Sequence, residues 1–245
     1  MSGLLDEASD GAAESRNEGA ATARKILYRR PDTTVKLAGD EPALRHYVGD
    51  TIEFFASCFS NEKRIFLEGT QGTSLSIHHG HYPHVTSRVT TASGCIAEAG
   101  IASRHVRRVV MVCRTYPIRV GDSSTGRTSG YMSQPISFEV IAERSGVDLS
   151  ELKTTEVGSV SAKPRRVAEF DWAQLRRSLV LNGPTDIALT FADHLGVENC
   201  KAFRYEQLNE ETLRFVEEVE KVSGIPVSMT STDFSERNII DRRMW

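Results

Sequence analysis

From residue 108 to the C-terminus, short apolar runs of strand length alternate with loops and amphipathic helical segments. That alternation restricts the chain to an α/β sheet with flanking helices. Residues 108–114 (RVVMVCR) form a continuous apolar run, the pattern of a strand buried on both faces. Residues 187–190 and 227–230 read as the next strands. Between them the periodicity predicts a short helix over 137–145, a helix over 171–181 capped by Asp171, and the clearest helix of the chain over 209–223. This last segment has Asn209 as N-cap, acidic residues in its first turn and Gly224 at its end. Open sheets of this kind place ligands at the strand ends, so the loops are where chemistry is expected.

The most informative loops lie in residues 66–100, FLEGTQGTSLSIHHGHYPHVTSRVTTASGCIAEAG. Residues 64–67 read as a short strand that breaks at Glu68-Gly69. Gly69 and Gly72 around Thr70-Gln71, followed by Thr73 and Ser74, give a backbone that can approach a ligand closely and offer N–H, hydroxyl and amide groups. Thr86, Ser87, Thr90, Thr91 and Ser93 add hydroxyls before a small-residue run, 94–102, that can start a helix with its N–H groups aimed at an anion. A polar loop pair between two strands is the alternative reading of the same composition.

The 245 residues are 39% hydrophobic and 26% charged with net charge −3, which suits a domain large enough to bury a core. Basic residues are scattered, so neither a nucleic-acid nor a membrane partner is expected. Cys58, Cys95, Cys113 and Cys200 stand singly, without the C-x-x-C spacing of a zinc ribbon or a redox pair, and a cytoplasmic location is expected. Residues 1–24, rich in Ala, Gly, Ser, Glu and Asp, read as a disordered tail, with one domain over 25–245. Residues 44–59 carry helical spacing, with Val48, Ile52, Phe55 and Phe59 on one face.

The run E-G-T-Q-G-T-S-L-S-I-H-H-G-H-Y-P-H-V-T-S from Glu68, followed by Thr90-Thr91-Ala92, resembles the central signature of the adenylosuccinate synthetase family. The resemblance implies a P-loop-NTPase-like fold, N-terminally truncated, with a mostly parallel central sheet. It also implies that Gln71, Leu75 and Thr86 contact the purine nucleotide IMP, with Val120 near its ribose. A glutamine amide can donate and accept, which suits a purine edge. Loop 158–166 is similar to the family's aspartate-binding loop, which puts Val160, Ser161, Lys163 and Arg165 at L-aspartate; Lys163 stands where the family has arginine, and it lacks the planar fork that clamps a carboxylate twice. A solvated basic loop is the other reading. Thr190-Phe191-Ala192-Asp193 resembles the T-K-x-D element that reads the guanine of GTP, with Phe191 in place of lysine, and Ser231-Thr232-Asp233 stands where the family has S-T-G. Asp193, Ser231 and Thr232 are therefore the expected GTP contacts.

His78, His79, His81 and His84 are spaced closely enough to suggest a metal, but the matching family loop needs none, and no metal ligand is expected in this chain. The family phosphorylates the purine 6-oxygen with GTP and Mg²⁺, then displaces phosphate with the amino group of aspartate. Its G-D-E-G-K-G and H-N-A-G-H-T motifs, which supply the phosphate loop and the catalytic Asp and His, do not occur here; Gly39-Asp40-Glu41 is followed by Pro42. The resemblance, over about residues 35–245, thus implies either a ligase that works as a homodimer or with a complementing N-terminal polypeptide, or a non-catalytic purine-nucleotide-binding module. Relatives that make 2-aminoadenylosuccinate compounds from another nucleotide pair are a third possibility.

Overall fold

The computed structural model of the chain describes residues 36–122, 129–157 and 164–243. The predicted tail over 1–24 lies outside them. The chain divides into two units, residues 1–65 and 66–245. In the first, α1 (Thr51–Ser60) starts where the Asp50 carboxylate accepts the Ile52 and Glu53 N–H groups at 2.8 and 3.2 Å. The helix is shorter than the predicted span 44–59, because Arg45–Tyr47 forms a separate 3₁₀ turn. On its apolar face Ile52 is 65% exposed, whereas Phe55 and Phe59 are partly buried.

The second unit contains two sheets. The strands are β1 (Val110–Arg114), β2 (Ile118–Arg119), β3 (Pro135–Ile136), β4 (Arg166–Ala168), β5 (Asp186–Thr190), β6 (Val227–Ser231) and β7 (Ile239–Asp241). The larger sheet has the order β1-β5-β6-β7: β1 runs parallel to β5, β5 parallel to β6, and β7 antiparallel to β6. The smaller is antiparallel, β2-β4-β3. The sequence pattern did not disclose the small sheet or β7, since two- and three-residue strands carry too little periodicity to read.

Two expectations are corrected. Residues 64–67 form no strand, because no described strand pairs with them, and Phe66 is 85% exposed. The strand expected to be buried on both faces is β1, and among the described residues it lies at the sheet edge. Successive side chains alternate between faces: Met111 and Cys113 pack against Ile187, Leu189 and Val227, whereas Val112 points the other way and is 67% exposed.

The covered face of the sheet packs on α5 (Trp172–Asn182) and α6 (Glu210–Ser223) through Leu175, Val216 and Val219. The predicted caps hold: Asp171 accepts from the Gln174 N–H, Asn209 accepts from the Thr212 N–H, both at 2.9 Å, and Gly224 closes α6 at φ 68°. A second core joins α3 (Phe138–Ser145) and α4 (Leu149–Thr155) to β4 through Ile141, Leu152, Val167 and Tyr116. Helix α2 (Ala92–Ala99) follows the polar loops. Leu189→Ala should cost about 2–5 kcal/mol by creating a cavity, whereas Val112→Ala should stay within about 0.5 kcal/mol. Urea denaturation of the two variants checks this; a large loss at Val112 would mean that the outer face of β1 is covered.

Candidate functional site

The loops of residues 68–91 fold back on themselves. Gln71 sits in the left-handed region at φ 75° and is exposed; Leu75 ends the 3₁₀ turn Thr73–Leu75. The Thr86 N–H donates to the Leu75 carbonyl at 2.8 Å, and the Thr90 hydroxyl donates to the Gly72 carbonyl at 2.7 Å, which holds the two halves of the loop together. Gly80 makes this possible: a Cβ there would meet the Ser74 carbonyl oxygen at 2.4 Å. Arg119, buried next to Val120, donates to the His84 and Ser129 carbonyls. Gln71, Leu75 and Thr86 therefore share one loop, and Arg119 ties the Val120 segment to it. A cleft of about 60 Å³ beside them is lined by Ser74, His81, Arg119, Tyr131 and Gln174, and has room for a few waters.

Helix α2 was expected to aim its first N–H groups at an anion. Instead, the Ala92 N–H donates to the Asn182 side chain at 2.9 Å and the Gly94 N–H is capped by Thr91. Asn182 also donates to the Thr73 hydroxyl at 3.0 Å, so it braces the loop from the end of α5. Sequence reasoning missed this role; a polar residue at a helix end carries no distinguishing signal. Positive charge is supplied elsewhere. Burial and the neighbouring Arg166 both lower the Arg119 pKa, so two guanidiniums lie close enough to disfavour one another beside Val120.

At the carboxyl ends of β5 and β6 lies the second group. Phe191 takes the left-handed conformation at φ 62°, which is strained for a bulky residue. Its carbonyl accepts the Thr115 hydroxyl at 2.7 Å, and the Arg114 guanidinium lies 3.5 Å from its ring centroid. The Phe234 ring stands edge-on 5.7 Å away. Asp193 follows in the 3₁₀ turn Ala192–Leu195, its side chain 15% exposed and its Oδ1 buried without a hydrogen-bond partner among the described residues. Burial, aided by the charge of Asp233, raises its pKa to about 6. Burial and the nearby Arg114 lower that of His194 to about 4, so the His194–Asp193 approach of 3.7 Å is not an ion pair at neutral pH. Ser231 joins this group, its hydroxyl donating to the Asp233 carbonyl at 2.9 Å. Thr232 does not: it is fully buried, with its hydroxyl on the Ala202 and Asn238 carbonyls.

Glu156, unremarked in the sequence, joins these parts. Its side chain is 1% exposed and pairs with Arg114 and with Arg165, the latter at 3.0 Å; the Arg165 N–H also donates to the Glu156 carbonyl at 3.0 Å. Arg165 is thus occupied by a protein carboxylate. An acidic residue just before a basic loop was the signal that could have drawn attention to it. Val160, Ser161 and Lys163 lie outside the described residues. Among the described residues no group of three or more His, Cys, Asp or Glu converges on a metal position. Cys113 and Cys200, raised by burial to about 11, are poor nucleophiles.

The geometry is that of an α/β domain with Asp193 and Ser231 at the carboxyl ends of the parallel strands β5 and β6. Residues 5–203 match the family model described as adenylosuccinate synthetase. Adenylosuccinate synthetase of Methanocaldococcus jannaschii is 36% identical over 209 residues, covering 85% of this chain and 56% of its own, and that of Thermococcus onnurineus is 34% identical, covering 92% and 60%. This chain belongs to the adenylosuccinate synthetase family. It spans somewhat over half the length of these relatives. Among solved structures, the fully ligated adenylosuccinate synthetase of Plasmodium falciparum shares the fold, with TM-score 0.70 at 21% identity over 82% of this chain and 55% of that one. The cyanophage S-2L succinoaminodeoxyadenylate synthetase PurZ, bound to dGMP and to dATP as an energy donor, aligns with TM-score 0.63 at 25% identity over 92% and 60%.

Two outcomes follow from these charges. Removing Glu156 by substitution with alanine leaves two half-buried guanidiniums uncompensated and should cost about 3–5 kcal/mol in urea unfolding. Asp193 binds its proton more tightly folded than unfolded, so it favours folding below the usual carboxylate pKa and loses that advantage as pH rises to about 6. Asp193→Asn should therefore be more stable than the parent by on the order of 3 kcal/mol at pH 7 to 8, the gap closing towards pH 4. Stability curves of both proteins at pH 4, 6 and 8 measure it.

Proposed function

We propose that this chain forms the nucleotide-reading part of an adenylosuccinate synthetase-type ligase, which joins IMP to L-aspartate using GTP. The observation that carries the reading is Asp193: a buried carboxylate with an unpartnered oxygen, beside the Phe191 and Phe234 rings, at the strand ends of a chain whose family is established. Its carboxylate can accept from the N1 and N2 hydrogens of guanine, and Ser231 lies at the same strand ends, with Thr232 positioning the turn behind it. The acceptor nucleotide is read on the other loop, where Gln71 meets the purine edge, Leu75 and Thr86 line it and Val120 meets the ribose. Loop residues Val160, Ser161 and Lys163 take aspartate, with Arg165 fixed on Glu156 at the loop's end.

The chemistry of this reaction lies in making a poor leaving group into a good one: the purine 6-oxygen leaves as phosphate once phosphorylated. These residues bind and orient both nucleotides. Mg²⁺ would supply charge neutralisation at the transferring phosphoryl, held by one or two carboxylates together with the nucleotide phosphates. The G-D-E-G-K-G and H-N-A-G-H-T motifs are not in the sequence. The phosphoryl-transfer groups are therefore assigned to residues outside these 245.

A second reading is favoured by Phe191, which occupies the position of the family's lysine, and by the likeness to a protein bound to dGMP and dATP. Under it the acceptor is a guanylate and the donor an adenine nucleotide. Titration calorimetry with IMP and dGMP separates the two. Saturable IMP binding, weakened about 5- to 30-fold in Gln71→Ala, is the result expected for the loss of one or two hydrogen bonds. Tighter binding of dGMP would favour the second reading, and IMP binding untouched by Gln71→Ala would remove that residue from the site.

A further inference from the structure

We propose that Asp193 reads two purine bases through two protonation states: as carboxylate it accepts from N1–H and N2–H of guanine, and as carboxylic acid it donates to N1 and accepts from the 6-amino group of adenine. The inference rests on the reading of this segment as the donor-base site. It deepens that reading by making base preference depend on a proton.

The geometry leaves the Asp193 carboxyl free to take either form. Oδ1 is buried and has no partner among the described residues, while the residue's own backbone N–H on the carboxyl favours the charged form. The nearby guanidinium of Arg114 is paired with Glu156 and stands 3.5 Å from the Phe191 ring centroid, so it reaches Asp193 through its charge rather than a hydrogen bond. His194 Nε2, at 3.7 Å from Oδ2, is beyond hydrogen-bond reach. Asp233 after β6 and Glu151 on α4 face the carboxyl with like charge. On the other packed helices the charges are engaged with one another: Glu139 of α3 with Lys153, Arg144 of α3 with Glu169, and Glu210 of α6 with Arg214. A buried acid facing more negative than positive free charge keeps its proton to unusually high pH. Its titration at about 6 brings both forms within reach of physiological conditions. The Phe191 and Phe234 rings form an apolar, aromatic wall beside it, which suits either purine.

The test is titration of the full chain with GMP and with AMP, followed by amide NMR, from pH 5 to pH 8. Their phosphates titrate alike and cancel in the ratio of the two affinities. Across the whole range the ratio of GMP to AMP affinity should rise by about tenfold per pH unit, with the preference passing from AMP towards GMP as pH increases. Asp193→Asn, whose amide both donates and accepts at every pH, should favour AMP with a flat ratio. A pH-independent ratio in the parent, with both nucleotides perturbing the amides of residues 190–194 and 231–234, overturns this inference and leaves the donor-site reading standing. If neither nucleotide perturbs those amides at any pH, both fall.

Discussion

One buried carboxylate holds the candidate site in register. Glu156 lies at the end of α4 with 1% of its side chain exposed, and it compensates Arg114 from the end of β1 and Arg165 from just before β4. Those two strands belong to different sheets, so the pairing joins the parallel sheet that presents Asp193 to the antiparallel sheet that carries Arg119. A buried charge is tolerated only when paired and hydrogen-bonded. One carboxylate paired with two arginines meets that condition.

An uncharged knot does comparable work behind Asp193. Asn199 is fully buried and donates to the Ala192 carbonyl and to the Thr212 hydroxyl, both at 2.8 Å, while its oxygen accepts the Asn209 N–H at 2.9 Å. The turn that bears Asp193 is thereby fixed to the N-terminus of α6. The Thr115 hydroxyl and the Arg114 guanidinium hold Phe191 in its left-handed conformation. Strain of this kind, of about 1–3 kcal/mol, persists only where the surroundings over-determine it. Here they present two aromatic rings and an unpartnered carboxyl oxygen at the strand ends, an arrangement suited to a planar base.

Much of the helical framework was legible because its signals are local. Asp171, Asn209 and Gly224 cap the helices they were expected to cap, and the strands β5 and β6 lie within a residue of their apolar runs. The signature from Glu68 to Thr91 led to the family, because glycines, hydroxyls and Gln71 at fixed spacing are a pattern of chemistry rather than of packing. What failed was contextual. Residues 108–114 looked like a central strand because apolar character measures the tendency to be buried, and nothing in the run itself says whether neighbours exist on both sides. Thr232 looked like a ligand contact because a hydroxyl in a loop has the same letter whether it faces solvent or the Ala202 and Asn238 carbonyls.

The sequence by itself determined the α/β class, the caps and the family, since each is set by short-range stereochemistry or by motif spacing. Only the tertiary structure decided that, among the described residues, β1 lies at the sheet edge, that Glu156 spans 42 and 9 positions to hold Arg114 and Arg165, and that Asp193 lies buried with an oxygen unpaired. These are consequences of which surfaces meet when the sheets pack. Burial sets the cost of a charge, and burial is a property of the assembled chain rather than of any stretch of it.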